Sequence, residues 1–132
     1  MTNWLVAVLS VFHMNLTTIL KVEVPRTLQD GAGRYSSANW TPDEAIKLIF
    51  REDAPKALRV ANCESTMNPQ AENRRSRTRG LFQISPVHAK PGGWVEALGY
   101  TWDDMFRIVP NVRVAYSLWK EQGWGPWSCG RA

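Results

Sequence analysis

The segment from 62 to 85, NCESTMNPQAENRRSRTRGLFQIS, cannot continue a single helix or a single strand. Asn68-Pro69 is a turn signal, and a residue that precedes proline is pushed out of the helical region. The run RRSRTRG brings Arg74, Arg75, Arg77 and Arg79 together and reads as a charged loop. LFQIS follows as a short, apolar, extended-looking stretch, too short to found a large sheet. Whatever lies on either side must fold back around this break.

Helical patterns lie on both sides. In WTPDEAIKLIFRE, Thr41 caps a helix, Pro42 suits its first position and Glu44 completes a capping box. Ile46, Ile49 and Phe50 then share one face. A second start at Pro55 places Leu58, Ala61 and Asn62 on one side, with Glu64 at the far end. After the break, WVEALGY and WDDMFRI read as short helical pieces. PNVRVAYSLWKEQGW is a strong helix: Pro110 opens it, Val112, Ala115, Tyr116 and Trp119 line one face, and Gly123 stops it. The expected class is mainly helical (α+β), with one small β element after the arginine loop.

The chain has 132 residues, enough for one compact domain, and its 44% hydrophobic share with seven tryptophans supplies a core rather than a disordered tract. Residues 41–132 are read as that domain. Residues 1–40 form an apolar N-terminal segment and a linker. MTNWLVAVLSVFHMNLTTIL can be a signal, an anchor in contact with a membrane, or a packed segment, although no Lys or Arg precedes its apolar run and His13 and Asn15 interrupt it. A net charge of +4 and a pI near 9.4 favour anionic surroundings: nucleic acid, a membrane surface or wall polymer.

Several chemistries are excluded. The two histidines, His13 and His88, have no H-E-x-x-H spacing, so no zinc hydrolase is expected and no metal is assigned. There is no G-x-S-x-G elbow, no Walker loop and no helix-turn-helix pattern. No cofactor is expected. Cys63 and Cys129 fit neither a zinc motif nor a redox pair; by count alone they are two buried thiols or one disulfide. Glu64 is the remaining candidate. A carboxylic acid can protonate a glycosidic oxygen when an apolar setting keeps it protonated, and the unfavourable dipole at a helix C-terminus acts in the same direction. Leu81, Phe82 and Ile84 would supply that setting if the chain folds back. The plain alternative is a solvated glutamate at a helix end.

The motifs CES, NPQA and GLFQ resemble, in order, the signature of the soluble lytic transglycosylase family. Glu64-Ser65 matches its Glu-Ser; Asn68, Pro69 and Ala71 its Asn-Pro-x-Ala; Gly80, Leu81 and Gln83 its Gly-Leu-x-Gln. Asn111 and Ala115 fall in step with the family's Asn-x-x-x-Ala element, and GWGPWSC is similar to the end of short phage and actinobacterial members. The resemblance spans roughly residues 42 to 130. It implies a lysozyme-like, α-rich fold with helices around a catalytic cleft, acting on peptidoglycan outside the cytoplasm or in a phage virion. In that subgroup and in resuscitation-promoting factors, a cysteine beside the catalytic glutamate is bridged to one near the C-terminus, which implies a Cys63–Cys129 disulfide.

The resemblance also implies roles. Glu64 is the general acid that protonates the oxygen between N-acetylmuramic acid and N-acetylglucosamine, then the base for the sugar's own 6-hydroxyl, giving a 1,6-anhydro product. Ser65 positions it or the substrate. Gln83 and the backbone near Phe82 line the cleft, and Asn111 and Tyr116 are further substrate-side candidates. The Ala-Tyr-Asn element of the long members is absent. A two-carboxylate hydrolase needs a second acid; the choices are Glu72, in a turn, and the distant Asp103 and Asp104. A muramidase of the same fold and a non-catalytic wall-binding or virion module are the alternatives. The arginine loop offers contacts to wall polymer or to nucleic acid, with nucleic acid the less expected partner and a solvated loop at least as plain a reading.

Overall fold

The computed structural model describes residues 40–131. The expectations for residues 1–20 and for the linker up to Ser37 and beyond therefore fall, apart from Trp40, outside the described residues. Helix α1 spans Pro42–Phe50, α2 Ala54–Ser65, α3 Trp94–Ala97 and α4 Ile108–Gln122, with 3-10 turns at Arg51–Asp53, Pro86–Ala89, Trp102–Phe106 and Ser128–Arg131.

Helix α1 begins as its sequence requires. The Glu44 amide donates to Thr41 Oγ1 (3.2 Å) and the Thr41 amide donates to Glu44 Oε2 (3.0 Å), so two otherwise orphaned donors are satisfied reciprocally. Ala45, Ile46, Ile49 and Phe50 turn inward. Full burial of a side chain the size of Phe50 stabilises the fold by roughly 1.5–3 kcal/mol.

In α2 the inward face differs from the expected one. Ala54, Ala57, Val60 and Ala61 are buried, whereas Leu58 is half-buried and Asn62 exposed. Helix α2 packs on α1 and on the C-terminal turn, and a face of alanines lets those elements approach closely.

Helix α4 is the centre of the domain. It starts at Ile108, two positions before Pro110, which falls in its first turn. Val109, Val112, Val114, Ala115 and Leu118 are all buried, so this helix is covered on more sides than the single face expected from its spacing. Even Arg113 is 3% exposed, its Nη1 donating to Tyr100 Oη at 2.6 Å. Helices α1 and α3 and the 102–106 turn pack against α4.

The small β element is corrected. Among the described residues there is no strand, only the isolated bridges Glu72–Arg79 and Arg79–Ile84. LFQIS does not run extended: Arg79 and Ile84 exchange both backbone hydrogen bonds (3.0 and 2.9 Å) around a closed turn. Gly80 (φ +77°) and Gln83 (φ +48°) supply the left-handed corners. A Cβ at Gly80 would lie 2.1 Å from the Met105 carbonyl oxygen and 2.2 Å from Asn111 Nδ2, so only glycine fits there. The turn drives Leu81, Phe82 and Ile84 into the core, each at most 1% exposed.

Candidate active site

Glu64 lies in the last turn of α2 and is half-buried. The helix ends abruptly behind it. Thr66 (φ 53°) and Met67 (φ 60°) are successive left-handed residues, neither of them glycine. Such a conformation disfavours an L-residue by roughly 1–2 kcal/mol, and strain of this kind gathers at functional sites. Asn68 Oδ1 then accepts from the Gln70 amide at 2.9 Å, which bends the chain into the NPQA turn.

Two donors meet the carboxylate. The Cys129 amide lies 3.0 Å from Glu64 Oε1, and Ser128 Oγ lies 3.2 Å from the same oxygen. Both donors stand on the C-terminal 3-10 turn, which packs on α2. That turn is held in two ways. Cys63 and Cys129 form the disulfide that the resemblance implied (S–S 2.08 Å, Cα–Cα 6.0 Å). Trp127 Nε1 donates to the Phe82 carbonyl at 2.8 Å, inside an aromatic cluster of Phe50, Phe82, Tyr116, Trp119, Trp124 and Trp127. The immediate partners of Glu64 are thus polar. The apolar residues expected around it, Leu81, Phe82 and Ile84, belong to the core because the closed turn directs them there. Beside Ser128 opens a cavity of about 460 Å³ lined by Trp124, Gly125, Trp127, Ser128, Gly130 and Arg131.

The other expected site residues divide. Ser65 is buried, and its hydroxyl donates back to the Ala61 carbonyl at 3.0 Å. Gln83 is half-buried and braces its own loop. Its Oε1 accepts from Thr78 Oγ1 (2.8 Å), and its Nε2 donates to the Ala71 and Gly80 carbonyls (3.2 and 3.0 Å). Asn111 is 1% exposed. Its Oδ1 accepts from the Phe82 amide, and its Nδ2 donates to the carbonyls of Arg79 and Met105. A side chain buried like that of Asn111 cannot touch a glycan, so its expected substrate contact gives way to support of the turn; the Phe82 backbone, expected to line the cleft, has its amide on Asn111 and its carbonyl on Trp127. Tyr116 is half-buried, edge-on to Phe50 at 5.3 Å.

The candidate second acids are all tied to arginines. Glu72 pairs with Arg77 and Arg79, at 3.4 Å each. Asp103, largely exposed, pairs with Arg79 at 3.0 Å. Burial of the Asp104 carboxyl disfavours its charge, but hydrogen bonds from the Thr101 amide, Arg107 and the Thr101 hydroxyl outweigh this and hold it below the ordinary carboxylate value. These pairs also revise the arginine loop. Arg74 and Arg75 face solvent, whereas Arg79 is a clasp, its guanidinium 4.8 Å from the Trp102 ring and 4.5 Å from that of Phe106.

Sequence reasoning missed Ser128 and the Cys129 amide. A signal was present: Cys63 adjoins Glu64, so a bridge from Cys63 to Cys129 must also bring Ser128 near the carboxylate. Among the described residues no cluster of side chains suits a metal ion, and no helix is long and apolar enough to cross a membrane.

Comparison with curated proteins and with solved structures gives no match. The family model described as the transglycosylase SLT domain matches residues 44–122, more than half of the chain, and this segment carries Glu64, the NPQA turn, the Gly80 corner and Asn111. On that match the chain belongs to the transglycosylase SLT domain family, whose members act on the glycosidic bonds of peptidoglycan.

Proposed function

We propose that this chain is a lytic transglycosylase in the strict sense, with Glu64 as its single acid and base. The acid protonates the oxygen joining N-acetylmuramic acid to N-acetylglucosamine. The bond from that oxygen to C1 of the muramic sugar breaks, and N-acetylglucosamine leaves with a free hydroxyl. The muramic 6-hydroxyl oxygen then bonds to C1 and returns its proton to Glu64, so no water is consumed and the product is a 1,6-anhydro sugar. Substrate lies along the face that holds Glu64 and the cavity beside Ser128, with Tyr116 at its margin, the buried Ser65 positioning Glu64 from the end of α2 and Gln83 holding the neighbouring loop.

The observation that carries this reading is the acid inventory. Glu64 is half-buried and has no cationic partner among the described residues, whereas Glu72, Asp103 and Asp104 each pair with an arginine. A two-carboxylate hydrolase needs a second acid free to act as nucleophile or to direct a water. Such an enzyme works on the wall side of the membrane or in a phage particle, with glycan strands as its partner. Mass spectrometry of digested purified sacculi tests it: anhydro ends are expected, reducing muramic ends would make the protein a muramidase, and binding without release would make it a wall-binding module.

A further inference from the structure

We infer that Ser128 is a positioning residue for Glu64, acting together with the Cys129 amide to hold one carboxylate oxygen and leave the other to move the proton. The inference deepens the reading of Glu64 as the acid and rests on it. Both donors converge on Oε1, at 3.2 and 3.0 Å, and no described residue donates to Oε2. A glutamate at a helix end has considerable rotamer freedom to lose, up to about 2 kcal/mol. Two donors on one oxygen select a single rotamer and fix the direction in which Oε2 points. General acid catalysis depends on that direction, because the proton must meet the glycosidic oxygen at hydrogen-bond distance.

The two donors differ in how they are held. The Cys129 amide is fixed by the disulfide and by Trp127, which pins the tail to the Phe82 carbonyl. Ser128 is exposed and keeps only a hydroxyl on Glu64. It is therefore the member of the pair that can be removed without disturbing the fold. The family match ends at residue 122, so the segment that supplies both donors lies outside it.

The test compares Ser128→Val with Ser128→Thr, which share shape but differ in the hydroxyl, beside Glu64→Gln, on soluble uncrosslinked peptidoglycan glycan strands. The expected result for Ser128→Val is a fall in kcat of about tenfold, the worth of one hydrogen bond to a charged group, with KM within about twofold. Ser128→Thr should retain near-native kcat, and both should melt with the parent. Three results would overturn the inference while leaving the acid role intact: native kcat in Ser128→Val with Glu64→Gln inactive, equal losses in the two variants, or a rise in KM alone. Full activity in Glu64→Gln would remove the acid role, and the inference with it.

Discussion

Two regions of this domain carry family motifs, and they use them differently. At the end of α2, Glu-Ser places a half-buried carboxylate against the C-terminal turn, one oxygen held and the other without a described partner. At the Gly80–Ile84 turn, Gly-Leu-x-Gln is buried or braced. Gln83 bonds only within its loop, Phe82 has both backbone groups engaged, and Asn111 ties the turn to α4 through two hydrogen bonds while a third holds the Met105 carbonyl. On the proposed reading of Glu64, the contrast separates the acid from its support. A motif residue whose polar atoms already have partners holds geometry; one with an atom left over can meet a substrate.

The sharpest way to break that division is Glu64→Gln. It should reduce glycan cleavage by about 10²–10⁴-fold, the range of a lost general acid, while the melting temperature hardly moves. Next comes the link that holds the first region together. Replacing Cys63 and Cys129 by alanine should lower unfolding free energy by about 4 kcal/mol in denaturant titration, because the bridge closes a loop across 66 positions. It should also lower kcat, since the donors on Glu64 lose their anchor. The mirror image is Asn111→Ala. It orphans the Phe82 amide and takes one hydrogen bond each from the carbonyls of Arg79, which keeps the Ile84 amide, and Met105, and should lower stability by about 3 kcal/mol, with activity lost in proportion to the fraction unfolded. A stable but inactive Asn111→Ala would move Asn111 across the division.

The smallest effect belongs to the exit of the second region. Burial holds the His88 imidazole below its ordinary 6.5, opposed by the charge of Glu121. The folded state therefore favours the neutral ring. As pH falls below 6.5 the unfolded chain takes up a proton that the folded chain resists, and the stability present above that pH is lost. The parent should lose more melting temperature between pH 7.5 and 5.5 than His88→Gln does, by a small margin.

How much of this was legible depends on whether local or distant groups decide it. The start of α1 could be read residue by residue, because a capping box is closed within four positions. The break after α2 was equally plain. The inward face of α2 was not, since Leu58 is the larger apolar residue but the alanines allow close packing. LFQIS was misread as extended because its apolar run hides the corners at Gly80 and Gln83, and those corners are stabilised by Asn111, some thirty positions on. Ser128 was missed for the same reason: its partner is 64 positions away.

From the chain alone came the helices, the break, the lone candidate acid and the family signature, all of them matters of local propensity or of residue types in order. The roles came from tertiary contacts. Folding brings the tail to Glu64 through the disulfide and Trp127, pairs the rival acids with arginines, and encloses Asn111 and Phe82. Chain order cannot encode these outcomes locally, because a polar atom is left for chemistry only when the whole fold has left it without another partner.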